Sequence, residues 1–191
     1  LFFMAPWVFI FLISAITMRS FSEEIKQGTF ETLSTKPITD TQIILGKFLA
    51  SVVLVIFAIL PTLLYFYSVY QLGLPKGNID VGATWGSYIG LVLLGSCYCS
   101  IGVFASAVTP NQIVSFILSM FLCFFFYVGF QQMSNLALFG SWDSAVQSLG
   151  IQLHYDSISR GVVDTRDLVY FGSLMSVFLG LTYVTLGSRK W

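Results

Sequence analysis

Five apolar runs separated by polar intervals set the pattern of this chain. They cover 1–18, 40–70, 85–108, 112–133 and 167–188, and each is continuous rather than alternating, so the pattern predicts helices and not strands. The first lies near the lower length limit for crossing a bilayer. The second exceeds what a hydrocarbon core of about 30 Å needs and is expected to tilt or project, with Pro61 as a tolerated kink. Residues 71–83, which carry Gly73, Pro75, Gly77 and Asn78, read as a turn-rich loop, and Thr109 to Gln112 as the tight turn of an antiparallel hairpin. Residues 135–163 are neither fully apolar nor fully polar. Helical pieces around 144–149 and 153–161, broken by Gly140, Gly150 and Gly161, predict an external re-entrant or interfacial helical hairpin. Asp156 and Arg160 can pair across one turn, and Asp164 with Asp167 is expected to cap the last helix.

The polar interval from Arg19 to Lys47 follows the first run directly. Ser20 and Glu23 have capping-box spacing, Pro37 cannot continue a helix, and Thr39 with Gln42 repeats the start signal for the second run. Between them the spacing predicts a helix over 20–35. Its broken apolar stripe is Phe21, Ile25, Phe30 and Leu33, its polar positions are Glu23, Glu24, Lys26 and Glu31, and Gly28 weakens its middle. Composition alone favours a solvated connector in the membrane interface. The acids, however, suit a protein partner better than a lipid head group.

Composition fixes the class. Of 191 residues, 56% are hydrophobic and 9% charged, and the mean hydropathy is +0.83, where soluble domains are roughly 25% charged. The chain is therefore an all-α, polytopic helical membrane bundle in a lipid bilayer, its backbone satisfied inside helices. Net charge is zero, which leaves no nucleic-acid footprint. Cys97, Cys99 and Cys123 sit in apolar runs without His or carboxylate companions and read as packing residues, with no metal site. Small residues form rows along two helices. Gly86 and Gly90 are a GxxxG pair, Gly95, Cys99, Gly102 and Ser106 share one face, and Gly172, Ser176 and Gly180 line another helix. Such rows let backbones approach closely, either between subunits or, as the default, inside one bundle.

Catalytic chemistry is not legible. Gly46-Lys47 is followed by Phe48 and lacks a phosphate-cradling loop, so the chain is not expected to hydrolyse ATP. No acid or base stands mid-span, which disfavours an ion-coupled carrier. No H-E-x-x-H or filter-like loop occurs, and His154 reads as a surface or interfacial histidine rather than a base. No catalytic residue and no cofactor in this chain are expected.

Glu24, Gly28, Thr29, Glu31, Leu33, Pro37, Gly46 and Lys47 form a stretch that resembles the cytoplasmic coupling region of ABC-2 type transporter permeases. His154 to Phe171 resembles the gliding-motility-associated ABC permease subunit. The resemblance implies a permease fold of six spans, with five seen here and the first expected to be missing. It also implies a bacterial inner-membrane location and a separate cytosolic ABC ATPase that carries the ATP and Mg. Phe21, Glu23, Glu24, Ile25, Lys26, Phe30, Glu31 and Leu33 would dock that ATPase. A second permease copy or related subunit would pack on the small-residue rows, and a further subunit with a large external domain is implied by the gliding subtype. The alternative is a non-transporting scaffold that anchors the ATPase and relays motion outward. Charge gives the sidedness: Arg19, Lys26, Lys36, Lys47, Arg189 and Lys190 fall on one side and Lys76, Arg160 and Arg166 on the other, so the first side is expected to be cytoplasmic.

Overall fold

The structure, a computed structural model, describes residues 2–29, 39–73, 80–136, 140–162 and 164–188. Its organising element is the helix Val81–Val108, here α5, because most of the other long helices pack on it. Asp80 starts this helix by accepting the Ala83 N–H at 3.0 Å. That cap lies within the expected 71–83 loop, so the helix begins four residues before Trp85. Before it come α1 (Ala5–Thr17), α2 (Ser22–Gln27), α3 (Asp40–Ile59) and α4 (Thr62–Leu72). After it come α6 (Gln112–Phe124), a π-helical turn (Phe125–Gly129), α7 (Phe130–Asn135), α8 (Asp143–Ser148), α9 (Ile151–Ser159) and α10 (Thr165–Ser188).

Side-chain contacts fix how these elements run. Phe2 meets Tyr88 edge-on at 5.2 Å, Phe9 and Ile13 lie over Gly95, and Thr17 lies over Gly102, so α1 travels parallel to α5 in step with it. Val55 over Gly95 and Thr62 against the Tyr88 hydroxyl show α3 and α4 running the opposite way. Tyr127 against Tyr98 and Ser119 beside Gly102 place α6 antiparallel as well. Phe178 against Phe104 and Leu186 beside Val103 and Ala107 make α10 parallel. Two ends result. One gathers Phe21, Lys47, Ser106 and Leu186, and the other gathers His154, Gly161 and Asp167.

Five stretches among the described residues are long and apolar enough to cross a membrane: Ala5–Gln27, Asp40–Leu72, Val81–Val108, Gln112–Asn135 and Thr165–Ser188. In the most apolar window of α5, 78% of residues are buried, against 17 to 22% in the last two and in Asp40–Leu72. The centre of the bundle is therefore α5, and the outer helices leave wide faces for lipid or for other subunits. Pro61 does more than kink its span. It separates α3 from α4, and the Thr62 hydroxyl donates to the Ile59 carbonyl at 2.6 Å across the break. The Thr39–Gln42 capping box is present in both directions.

The segment after Gly140 folds back as a helical hairpin. Ile158 and Tyr155 fill the space over Gly90, Gly161 lies against Gly86 and Ala83, and the Tyr155 hydroxyl donates to the Phe2 carbonyl at 2.8 Å. Gly161 has φ +87, and a Cβ there would stand 2.4 Å from the Ala83 Cα, so only glycine fits. Ile151, Tyr155 and Ile158 are buried, which makes α9 a wedge against the first half of α5 rather than a surface helix. Asp164 caps α10 by accepting the Arg166 N–H at 3.0 Å. Asp167 is not part of that cap; its carboxylate turns to His154. Asp156 and Arg160 do not close an ion pair, although Arg160 eases the Asp156 carboxyl back down against the rise that burial imposes.

Candidate functional site

The expected helix over 20–35 is built differently from its sequence pattern. α2 ends at Gly28, whose φ of +69 is a left-handed cap that returns its N–H to the Glu24 and Ile25 carbonyls. Gly28 thus terminates the helix instead of weakening its middle. The Ser20–Glu23 capping box does not form. Phe21 takes the N-cap place, the Ser22 hydroxyl donates to the Met18 carbonyl, and Ser20 offers its carbonyl to the Lys47 ammonium. Phe30, Glu31 and Leu33 lie outside the described residues.

Ser106 caps the start of α2 in place of that box. Its hydroxyl accepts the backbone N–H of Phe21 at 2.7 Å and of Ser22 at 3.0 Å, two donors that a helix start leaves unpaired. Each such bond contributes about 1 kcal/mol net, and losing the acceptor strands both donors in a buried place. The small-residue row of α5 therefore ends in a polar clasp on α2.

Phe21 is fully buried and packs among Ile43, Ile44, Val103, Ala107 and Leu186, with Ile25 half-buried beside them. As an outward anchor for a partner it is excluded in this arrangement, because its ring is already part of the bundle. Lys47 sits over that ring at 4.5 Å and pairs with Glu24 Oε1 at 2.5 Å. The second Glu24 oxygen, Oε2, is buried and has no partner among the described residues. Glu23 accepts a long bond from Gln27 at 3.4 Å, and Lys26, Gln27, Gly28 and Thr29 are exposed. The outward surface of α2 is thus Glu23, Lys26 and Gln27, while Phe21 and Glu24 tie it to α3 and α5.

The small-residue rows separate into two kinds. A Cβ on Gly86, Gly90, Gly95 or Gly102 would approach a neighbour in the same chain to 2.8 Å or less, so these glycines, with fully buried Cys99, serve close packing inside the bundle. On α10, a Cβ at Gly172 or Gly180 meets nothing within 4 Å among the described residues, and Ser176 is exposed. That row faces outward. No group of three or more His, Cys, Asp or Glu among the described residues could hold a metal ion.

The described residues form an all-helical bundle with five candidate spans and a polar strap clamped on one end, the build of a polytopic membrane protein. The family model of the ABC-2 family transporter protein matches residues 2–191, and the chain belongs to that family. It is accordingly a membrane transport component and not itself a catalytic one. No curated protein matches the chain.

Proposed function

We propose that the chain is the permease subunit of an ATP-driven transporter of the bacterial inner membrane, coupling hydrolysis on a separate cytosolic ABC ATPase to export or force transfer, in machinery linked to gliding motility. The Lys47 end is the cytoplasmic one on this reading, in keeping with the positive-inside bias of Arg19, Lys26 and Lys47. The observation that carries the proposal is the double attachment of α2: a push on its exposed side reaches α5 through Ser106 and α3 through Lys47, with no slack polar linker between. ATP and Mg belong to the partner. Docking falls to Glu23, Lys26 and the segment of Phe30, Glu31 and Leu33, while Phe21, Glu24 and Ile25 transmit.

The test is co-purification with the ATPase. Phe30→Asp and Glu31→Lys are each expected to lower the recovered ATPase at least roughly tenfold, as truncation or reversal at an interface hot spot does. Full retention in both variants removes the docking assignment.

Permeases of this kind work as pairs on our reading, and the open row of α10 is the surface offered to the second copy or related subunit. Gly172→Leu with Gly180→Leu should abolish cross-linked dimer in membranes while leaving the monomer's thermal midpoint nearly unchanged, because a Cβ at either position meets no atom of the described residues within 4 Å. Undiminished dimer in that double variant would assign the pairing face elsewhere.

A further inference from the structure

At the end opposite the coupling site, α7, the α8–α9 hairpin and the start of α10 line an open cavity of about 720 Å³, within the usual range of small-molecule sites. It has both signs of charge. Arg160 and Arg166 line it with exposed guanidinium groups, neither of which forms an ion pair among the described residues. Asp167 lines it from below with a side chain only 9% exposed. One oxygen of that carboxylate, Oδ1, is held by His154 Nδ1 at 2.6 Å, and the other, Oδ2, is buried with no partner among the described residues.

The Asp167 side chain is held in place for its task. His154 is fixed on three sides: by Asp167, by the Ser148 carbonyl at 3.0 Å from Nε2, and by the ring of Tyr170 stacked at 3.9 Å. Tyr170 in turn donates to the Leu149 carbonyl at 2.6 Å. Both histidine nitrogens are thereby committed, and a donor that enters the cavity would give Oδ2 the partner it lacks among the described residues. An unsatisfied buried carboxylate oxygen is costly, and a charged donor is its strongest remedy.

A bare metal cation fits poorly, because two guanidinium groups share the space and one carboxylate oxygen is too few ligands. A bare anion would meet Asp167 and Asp156. A ligand that carries both charges meets each. Leu153 and Val162, both exposed, add apolar surface to the lining, which an ester's carbon chain can cover.

We propose that this cavity binds a zwitterionic phosphate ester with a primary ammonium group, the ammonium donating to Asp167 Oδ2 and the phosphate facing Arg160 and Arg166. A phosphoethanolamine lipid head group and free phosphoethanolamine share this chemistry. A trimethylated ammonium lacks the N–H that Oδ2 requires. The proposal is independent of ATPase docking, which lies at the far end of α5.

The experiment uses the full chain in nanodiscs of phosphatidylcholine. Phosphatidylethanolamine is titrated into the bilayer in one arm and soluble phosphoethanolamine is added in another, with phosphatidylglycerol as the anionic control. The readouts are the thermal midpoint and bound lipid by native mass spectrometry. Saturable binding of either ammonium ester, several-fold tighter than phosphatidylcholine or phosphatidylglycerol, is expected, and the arm that responds identifies the source. Asp167→Asn should weaken it roughly tenfold or more, as should Arg160→Ala with Arg166→Ala. The arginine pair is exposed and leaves the His154 contacts intact, so its folding is not in question. Equal binding of phosphatidylcholine, or undiminished binding in the arginine double variant, overturns the proposal.

Discussion

Gly102→Ala should sharply lower the thermal stability of the purified bundle, whereas Gly180→Ala, the same change on another helix, should leave it unchanged or slightly higher. At Gly102 the new Cβ would stand 2.0 Å from Thr17 Oγ1, 2.8 Å from Thr17 Cβ and 3.1 Å from Ser119 Oγ. Carbon atoms at ease sit about 3.5 to 4.0 Å apart. The Thr17 hydroxyl is committed to the Ile13 carbonyl at 2.8 Å, and its Cβ cannot rotate out of the way. Relief therefore requires α1 to move off α5, which opens the seam that Phe9 and Ile13 close and pulls on the Ser14–Ser119 hydrogen bond between α1 and α6. Overpacking of this kind costs about 1 to 3 kcal/mol, and Gly102→Val should prevent assembly of a folded bundle altogether. At Gly180 the Cβ enters open space, and alanine is intrinsically the better helix former by about 1 kcal/mol. Thr17→Ala in the Gly102→Ala background should recover part of the loss by removing the nearest atom. Melting followed by size-exclusion chromatography in detergent measures all four. Equal midpoints for Gly102→Ala and Gly180→Ala would show that the α1–α5 approach is looser than described.

The contrast between these two glycines also marks how far the sequence could be read. Small residues at helical spacing announce a close approach, and the rows on α5 and α10 are equally visible as patterns. Nothing in the spacing says whether the approaching backbone belongs to the same chain. Thr17, Val55, Ile158 and Gly161 fill the α5 row from segments far apart in sequence, and among the described residues no such segment reaches Gly172 or Gly180. The same limit explains Phe21. An apolar stripe on a short helix after a span is compatible with a partner's groove or with the chain's own core, and the decision came from Val103, Ala107 and Leu186. Local chemistry was legible where it is self-contained, as in the Thr39–Gln42 box. It failed at Ser20, whose N–H goes to the Thr17 carbonyl while the distant Ser106 hydroxyl takes the N–H groups of Phe21 and Ser22. His154 and Asp167 are thirteen positions apart and separated by a glycine turn, so their pairing had no signal in spacing at all. The π-helical turn at Phe125–Gly129 likewise sits inside an unbroken apolar run that any regular helix would satisfy.

Lys47→Met should uncouple the two ends of the molecule while leaving the bundle assembled. The lysine does three things at once: it pairs with Glu24, donates to the Ser20 carbonyl and lies over the Phe21 ring. Methionine keeps most of the apolar stem over Phe21 but supplies no donor, so Glu24, whose Oε2 is already unpartnered, loses its remaining partner and the Ser20 carbonyl loses its ammonium. Stranding groups in a partly buried place costs about 1 to 3 kcal/mol. That is enough to let α2 part from α3, while the Ser106 clasp keeps its start on α5. If α2 carries force from the ATPase, substrate- or partner-stimulated hydrolysis in the reconstituted complex should fall by roughly tenfold with ATPase recovery unchanged, since 1.4 kcal/mol is a factor of ten. Glu24→Gln should reproduce part of that loss. The double variant should be little worse than Lys47→Met alone, because residues acting through one contact are not additive. Fully additive losses would mean that Glu24 and Lys47 act through separate partners and that the strap from α2 to α3 is not the transmitting element. Loss of ATPase recovery in Lys47→Met would instead place the lysine in the docking surface itself.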